Sequence, residues 1–459
     1  MLLGTLLVNN NGLHATSTGL VIAKAFHIQK NVESLVRITD DDLRPLFGIR
    51  VISAVAIIFV HVGMLKHGMG VSNGVRLEKD LEDRWLISMC TLENVVDTFM
   101  FMSGLLLIKS LIANGMKPFN PVKVIVKRYF RLIGPVLLVL LIIFKILNVP
   151  RGPMKKEFYD TELEACNQNW WTIPLMIQNY VNKDNMCYAV LWSVACDFHL
   201  SILGTMGTWL FMRSRKSGLL VFLIAFIASI TVPATGAILN PEVAFMQWDF
   251  RVFTKNCKYI LENPFYTSTH YRASSYFVGM AVGYLIAMYN PAKYRNVISK
   301  KHSILSFGVL LAMFLGFFTL EYKIQTELIL KNNVFMLALF VSLRRVVWAV
   351  LLAVLVILCE YGTLPLVPGF LGWSALAPIC RLSYGIYLIH GAVLSYWTVT
   401  TRNNIEHHLY NSVLTVLGVA LASCVASLLL WTLFEEPLRI IVSHILRDRN
   451  ENAEQVKRK

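Results

Sequence analysis

Long apolar stretches alternate along this chain with short polar connections. With a window of about 19 residues, ten stretches are long enough to span a bilayer: 47–65, 94–113, 124–147, 188–211, 218–239, 273–289, 304–320, 334–359, 378–398 and 412–434. A segment crossing hydrocarbon has to satisfy its backbone polar groups internally, so each of these is expected to be a helix. The predicted fold class is all-α, a polytopic protein with about ten transmembrane helices and the lipid bilayer as its principal partner. Three regions follow: an N-terminal segment over 1–46, a ten-span membrane domain over 47–434 and a basic tail over 435–459.

Composition agrees. Hydrophobic residues make up 56% of 459 and charged residues only 15%, which an ordinary soluble domain of this size does not show. The net charge of +15 would suggest nucleic acid if it were gathered on a soluble face, but it is distributed over alternate connections. Lys24, Lys30, Arg37 and Arg44, then Lys117 and Lys123, then Arg213, Arg215 and Lys216, then Lys300 and Lys301, and finally Arg447 to Lys459 fall on one set. The positive-inside rule assigns that set, with both termini, to the cytoplasm of a plasma membrane or endomembrane, and no nucleic-acid partner is needed. The exception is 361–377, which this topology puts inside although it holds no Lys or Arg. Residues 1–45 lack the apolar core and cleavage site of a signal peptide and read as a cytoplasmic lead-in.

Of the eight cysteines, Cys90, Cys166, Cys187 and Cys257 fall on the opposite, oxidising side. Four thiols allow three connectivities; pairing Cys166 with Cys187, which bracket one loop, is favoured over four free thiols. No His/Cys group has the spacing of a metal site, so no metal is expected.

The candidate chemistry lies within the spans. Arg50 and His61 are eleven residues apart on the first, roughly 16 Å along a helix axis, in a chain that otherwise keeps its ionisable groups out of hydrocarbon. An ionisable residue inside a span is a functional-site hypothesis by default. Arg50 fits a topogenic anchor equally well, and His61 an interhelical hydrogen bond. Ser103-Gly104 marks a place on the second span where a ligand or another backbone can come close. The third span opens with Lys127, Arg128 and Arg131 on neighbouring turns of one side, a pattern that serves either lipid headgroups or a phosphate clamp. Asp197 and His199 sit inside the fourth span, Arg272 immediately precedes the sixth and His390 lies in the ninth, all marking a polar interior. Counted from the cytoplasmic side, His61 and His390 fall in the same half of the bilayer.

These motifs resemble those of the acyltransferase 3 membrane family. Arg50 with His61 resembles its arginine, ten residues, histidine motif, Ser103-Gly104 its Phe-Phe-x-x-Ser-Gly-Phe segment, and Lys127-Arg128-x-x-Arg131 its Arg-Arg-x-x-Arg segment. Trp192-Ser193 through Asp197 is similar to its Trp-Ser-Leu-Ser-x-Glu segment, with Asp in place of the acid. Ala25-Phe26 with Asn31, Cys166 before Trp170-Trp171, Cys187, Tyr271-Arg272 with Tyr276 and Gly279, 382–390 and Glu436-Pro437 resemble the animal branch named for nose resistance to fluoxetine. Two departures stand out. That branch usually carries a cysteine-rich extracellular domain and an extra span for which residues 1–29 have no room, so a short form, a fragment or an incomplete gene model is expected. His199 also stands where Gln is usual.

The resemblance implies an acyltransferase using acyl-CoA as donor substrate, with its phosphates held by Arg50, Lys127, Arg128 and Arg131 beside Ser103. His61 would be the general base on an acceptor hydroxyl, of a lipid or a glycan, and Asp197 would orient the imidazole or take the proton onward. It equally implies the alternative, a lipid or drug uptake protein that uses the same fold without catalysis.

Overall fold

A computed structural model describes residues 18–39, 41–68, 70–76, 79, 94–112, 118–146, 152–244, 263–326 and 333–446. Among the described residues ten helices have eighteen residues or more: α1 (Pro45–Gly68), α2 (Val95–Ile112), α3 (Pro121–Leu141), α4 (Trp192–Arg213), α5 (Arg215–Leu239), α6 (Thr269–Met288), α7 (Lys300–Thr326), α8 (Val334–Tyr361), α9 (Leu376–Thr400) and α10 (Leu409–Leu430). Each overlaps one of the ten expected spans. Their starts are set by local chemistry, as at α3, where the Asn120 side chain caps the amides of Val122 and Lys123 and Pro121 supplies the first turn. No strand is present among the described residues. The chain is an integral, multi-pass, all-helical membrane protein.

Eight of these helices are long and apolar enough to cross a membrane by length and composition. The other two, α3 and α6, have the length but carry Lys123, Lys127, Arg128 and Arg131, and His270, Arg272, Ser274 and Ser275, respectively. Both border the polar interior. Residues of α1, α2, α4 and α8 are mostly buried, whereas α5 and α7 present mostly exposed apolar side chains, as helices facing lipid do.

The closest packing joins α2 to α6. A methyl group at Gly104 would strike the Tyr276 carbonyl, and one at Gly279 the Phe101 carbonyl, so the two backbones touch where these side chains are missing. This contact fixes Ser103 beside Tyr276. A fully buried ionic group joins the same helices to α8: Arg272 Nη1 lies 2.7 Å and Arg345 Nε 3.5 Å from Asp97 Oδ2. The Arg272 guanidinium also lies over Trp192 and Tyr266, at 5.0 and 4.8 Å from their ring centroids. The expectation that ionisable groups other than the motif residues stay out of the hydrocarbon is thus corrected. Asp97 and Arg345 are buried there because each meets an opposite charge or a backbone carbonyl, Arg345 donating to Tyr271 and Phe265 at 2.9 and 2.7 Å.

Connections sort by side. Val71 bridges Ile405, joining the α1–α2 and α9–α10 connections, and Tyr188 of the α3–α4 connection donates to the Leu388 carbonyl at 2.6 Å. In that connection Cys166 and Cys187 form a disulfide, with Cα atoms 4.2 Å apart. Cys90 and Cys257 lie outside the described residues. Before α1, helices Thr18–Ala25 and Ile28–Val36 pack onto the segment after α10: Asn31 Nδ2 donates to the carbonyls of Ala25 and Thr432, both at 3.0 Å. Residues 18–36 and 431–445 are therefore one structural unit at one end of the bundle.

Candidate active site

Helix α9 supplies the spine of the site. Tyr384, Tyr387 and His390 recur every third residue and share one face. Tyr384 donates to the Leu132 carbonyl at 2.7 Å, and the Tyr387 hydroxyl lies 2.7 Å from the Val190 carbonyl and 2.6 Å from Ser193 Oγ. One turn on, His390 is fully buried, with Nδ1 2.6 Å from the Tyr387 carbonyl oxygen and Nε2 2.8 Å from His61 Nδ1. His61 itself is half-buried. Two residues 329 apart in sequence, expected only to share a depth, are in direct contact.

Arg128, Asp197 and Ser103 form a second group, contributed by α3, α4 and α2. Arg128 Nη2 lies 2.8 and 2.7 Å from the two Asp197 carboxylate oxygens, Ser103 Oγ donates to Oδ1 at 2.5 Å, and Arg128 also reaches Ser103. Tyr276 is buried beside them. The expected pairing of Asp197 with His61 is therefore corrected: its carboxylate is engaged by Arg128 and Ser103, and the group in contact with His61 is His390. Arg128 is thereby held against Asp197 and Ser103. What α4 offers the histidine pair is Ser193, one turn before Asp197, through Tyr387.

A third group gathers Arg131 of α3, Arg50 of α1 and the segment after α10. Arg131 is exposed, and the charges acting on it are Glu435, Arg128, Arg50 and Arg439. Arg50 contacts Cys380 and keeps a buried Nε without a hydrogen-bond partner. Glu435 and Glu436 are buried, the latter bound twice by Arg439 at 2.6 and 2.5 Å. Lys127 points to the exposed surface. His199 stands apart from the histidine pair, 3.0 Å from Thr269 Oγ1 and against the Tyr180 ring, and Arg272 belongs to the Asp97 group.

Sequence reading missed Ser193, Tyr384, Tyr387 and Glu435 as members of this assembly. The two tyrosines carried a signal, a polar spacing of three ahead of His390 on an apolar helix; Glu435 carried none, since its approach to Arg131 depends on how the chain turns after α10. Together the groups form one polar track: Arg50 and Glu435 act on Arg131, Tyr384 lies within electrostatic reach of Arg131, Glu435, Asp197 and Tyr387, and the Tyr387 carbonyl meets His390, which meets His61. Such a track offers anion contacts at one end and an imidazole at the other.

Comparison with known proteins gives the same direction. A family model described as an acyltransferase domain matches residues 46–432. Nose resistant to fluoxetine protein 6 of Caenorhabditis elegans is 22% identical over 329 residues, which cover 66% of this chain and 39% of that protein. The chain thus spans about two fifths of the length of this relative. No solved structure matches. With the family model running from the start of α1 to the end of the membrane bundle and enclosing Arg50, His61, Ser103, Arg128, Asp197 and His390, the chain belongs to the acyltransferase 3 membrane family.

Proposed function

We propose that this protein is a membrane acyltransferase that moves an acyl group from a CoA thioester to a hydroxyl group of an acceptor presented from the bilayer or the opposite face. The observation that carries this reading is the track itself, with cations at one end and His61 at the other. The Lys/Arg-rich connections support a cytoplasmic position for the cationic end, where acyl-CoA is found. Arg131 and Arg50 take the donor's phosphates, because a guanidinium fork matches phosphate oxygens and, among the described residues, neither forms a direct ion pair with a carboxylate as Arg128 does, Glu435 acting on Arg131 at longer range. The pantetheine arm then follows the polar face of α9 and brings the thioester to His61.

At that point His61 Nε2 removes the acceptor's hydroxyl proton as the oxygen attacks the thioester carbonyl. The C–S bond breaks, and the departing CoA sulfur receives the proton from the imidazolium. The atoms balance without a further co-reactant. General-base help of this kind contributes about 10²–10⁴-fold to rate.

The test is release of free CoA thiol from acyl-CoA by the purified full chain in lipid vesicles, together with acyl label on an added hydroxyl acceptor. His61→Gln should remove both while leaving detergent stability unchanged. Vesicle uptake of an amphiphile with no thioester consumed would overturn the reading in favour of transport.

A further inference from the structure

The histidine pair carries directional information. His390 Nδ1 is 2.6 Å from the Tyr387 carbonyl oxygen, a group that can only accept, so this nitrogen holds a hydrogen. In a neutral imidazole the other nitrogen is then a lone-pair acceptor. His390 Nε2 lies 2.8 Å from His61 Nδ1, closer than two stacked rings can approach; with centroids 5.0 Å apart and planes only 10° apart, the rings meet edge to edge in nearly one plane. That is the geometry of a hydrogen bond along a ring lone pair. It obliges His61 Nδ1 to donate, leaving the lone pair of His61 on Nε2, which has no hydrogen bond to the described residues.

We propose that His390 is a positioning residue for acyl transfer. Anchored on its own backbone at Tyr387, it holds His61 in the Nδ1–H tautomer and aims the basic Nε2 at the acceptor hydroxyl. The arrangement does for His61 what a buried carboxylate does in a catalytic triad, with a neutral imidazole and a carbonyl in place of the charge. Full burial suits this role: His390 has both ring nitrogens occupied, and an uncharged orienting group avoids placing an ion in the bundle. Ser193 and Tyr387 brace the same turn of α9 through the 2.6 Å contact of their hydroxyls.

This inference rests on the acyltransfer reading, and two readouts separate their failures. The first needs no turnover: solid-state ¹⁵N spectra of the full chain in lipid, labelled at histidine and assigned by difference against His61→Gln. Wild type should show His61 protonated at Nδ1 and bare at Nε2, and His390→Phe should return it to the Nε2–H form. A bare Nδ1 in the wild type, or the same His61 tautomer in both proteins, overturns the proposal. The second readout is CoA thiol release. His390→Phe should lower kcat by about 10²–10⁴-fold with little change in acyl-CoA KM. His390→Gln, whose carboxamide can both accept from His61 and donate to Tyr387, should recover most of the loss; no recovery in a folded His390→Gln protein with the correct His61 tautomer also overturns it. Should the tautomers behave as stated while wild type consumes no thioester, the positioning stands and acyl transfer is the reading that fails.

Discussion

Arg128 binds both carboxylate oxygens of Asp197 through one guanidinium nitrogen, at 2.8 and 2.7 Å, so a cation read from sequence as a ligand for phosphate is already matched inside the protein. With side chains 20% and 17% exposed, the pair is largely removed from water. Deleting one partner leaves the other charge stranded, at a cost on the order of 3 kcal/mol. Arg128→Leu and Asp197→Leu should each lower stability by about that amount, and the double variant should lose less than the sum. Unfolding of the four proteins in mild detergent measures the coupling; additive losses would dissolve the pair.

Arg131 and Arg50 should behave differently. Arg131→Gln or Arg50→Gln is expected to raise the Kd for CoA by about tenfold or more, the scale of a lost hydrogen bond to a charged group. Because the contacts lie near a wet interface, the difference from wild type should shrink as salt is raised. Calorimetric titration with CoA at two salt concentrations checks both statements. Unchanged affinity in Arg131→Gln would return that residue to a role in topology.

The Cys166–Cys187 bridge closes a loop with a sequence separation of 21 that carries Trp170 and Trp171, exposed to 60% and 39%. Loop closure of that length contributes on the order of 3 kcal/mol in the chain-entropy model. Cys166→Ser, Cys187→Ser and the double variant should therefore lose similar stability. Non-reducing peptide mapping of the wild type gives the direct check, and pairing of either cysteine with Cys90 or Cys257 would rule the bridge out.

Glu162, in the same connection, offers a pH test. Burial pushes its carboxyl up to about 7, with a hydrogen bond from the Ala189 backbone opposing the shift. A group whose pKa is raised on folding stabilises the fold fully below its unfolded value near 4.5, and that contribution is lost as pH rises through about 7. Glu162→Gln should therefore gain stability relative to wild type between pH 5 and pH 8, with no difference at the acidic end. Melting curves of the two proteins across that range decide it, and parallel pH dependence would contradict the burial of this carboxyl.

The ten helices were legible in the sequence because the requirement behind them is local. A stretch that enters hydrocarbon must close its own backbone hydrogen bonds and show lipid an apolar surface, and both properties are written in about twenty consecutive residues. For the same reason Arg50, His61, Asp197 and His390 announced themselves, each as an ionisable group in an apolar run. Their partners did not. His61 meets His390 rather than Asp197, Arg128 meets Asp197 rather than a free anion, and Glu435 approaches Arg131, because helix rotation and the backbone contact at Gly104 and Gly279 decide which faces converge. Asp97 and Arg345 passed unnoticed since a single charge in a long apolar run barely changes its average hydropathy, yet their burial depends on a third helix delivering Arg272. Sequence determined which segments enter the membrane and which residues are costly to place there. The tertiary structure alone chose the partners that make those placements stable, since each pairing joins positions that no local pattern connects.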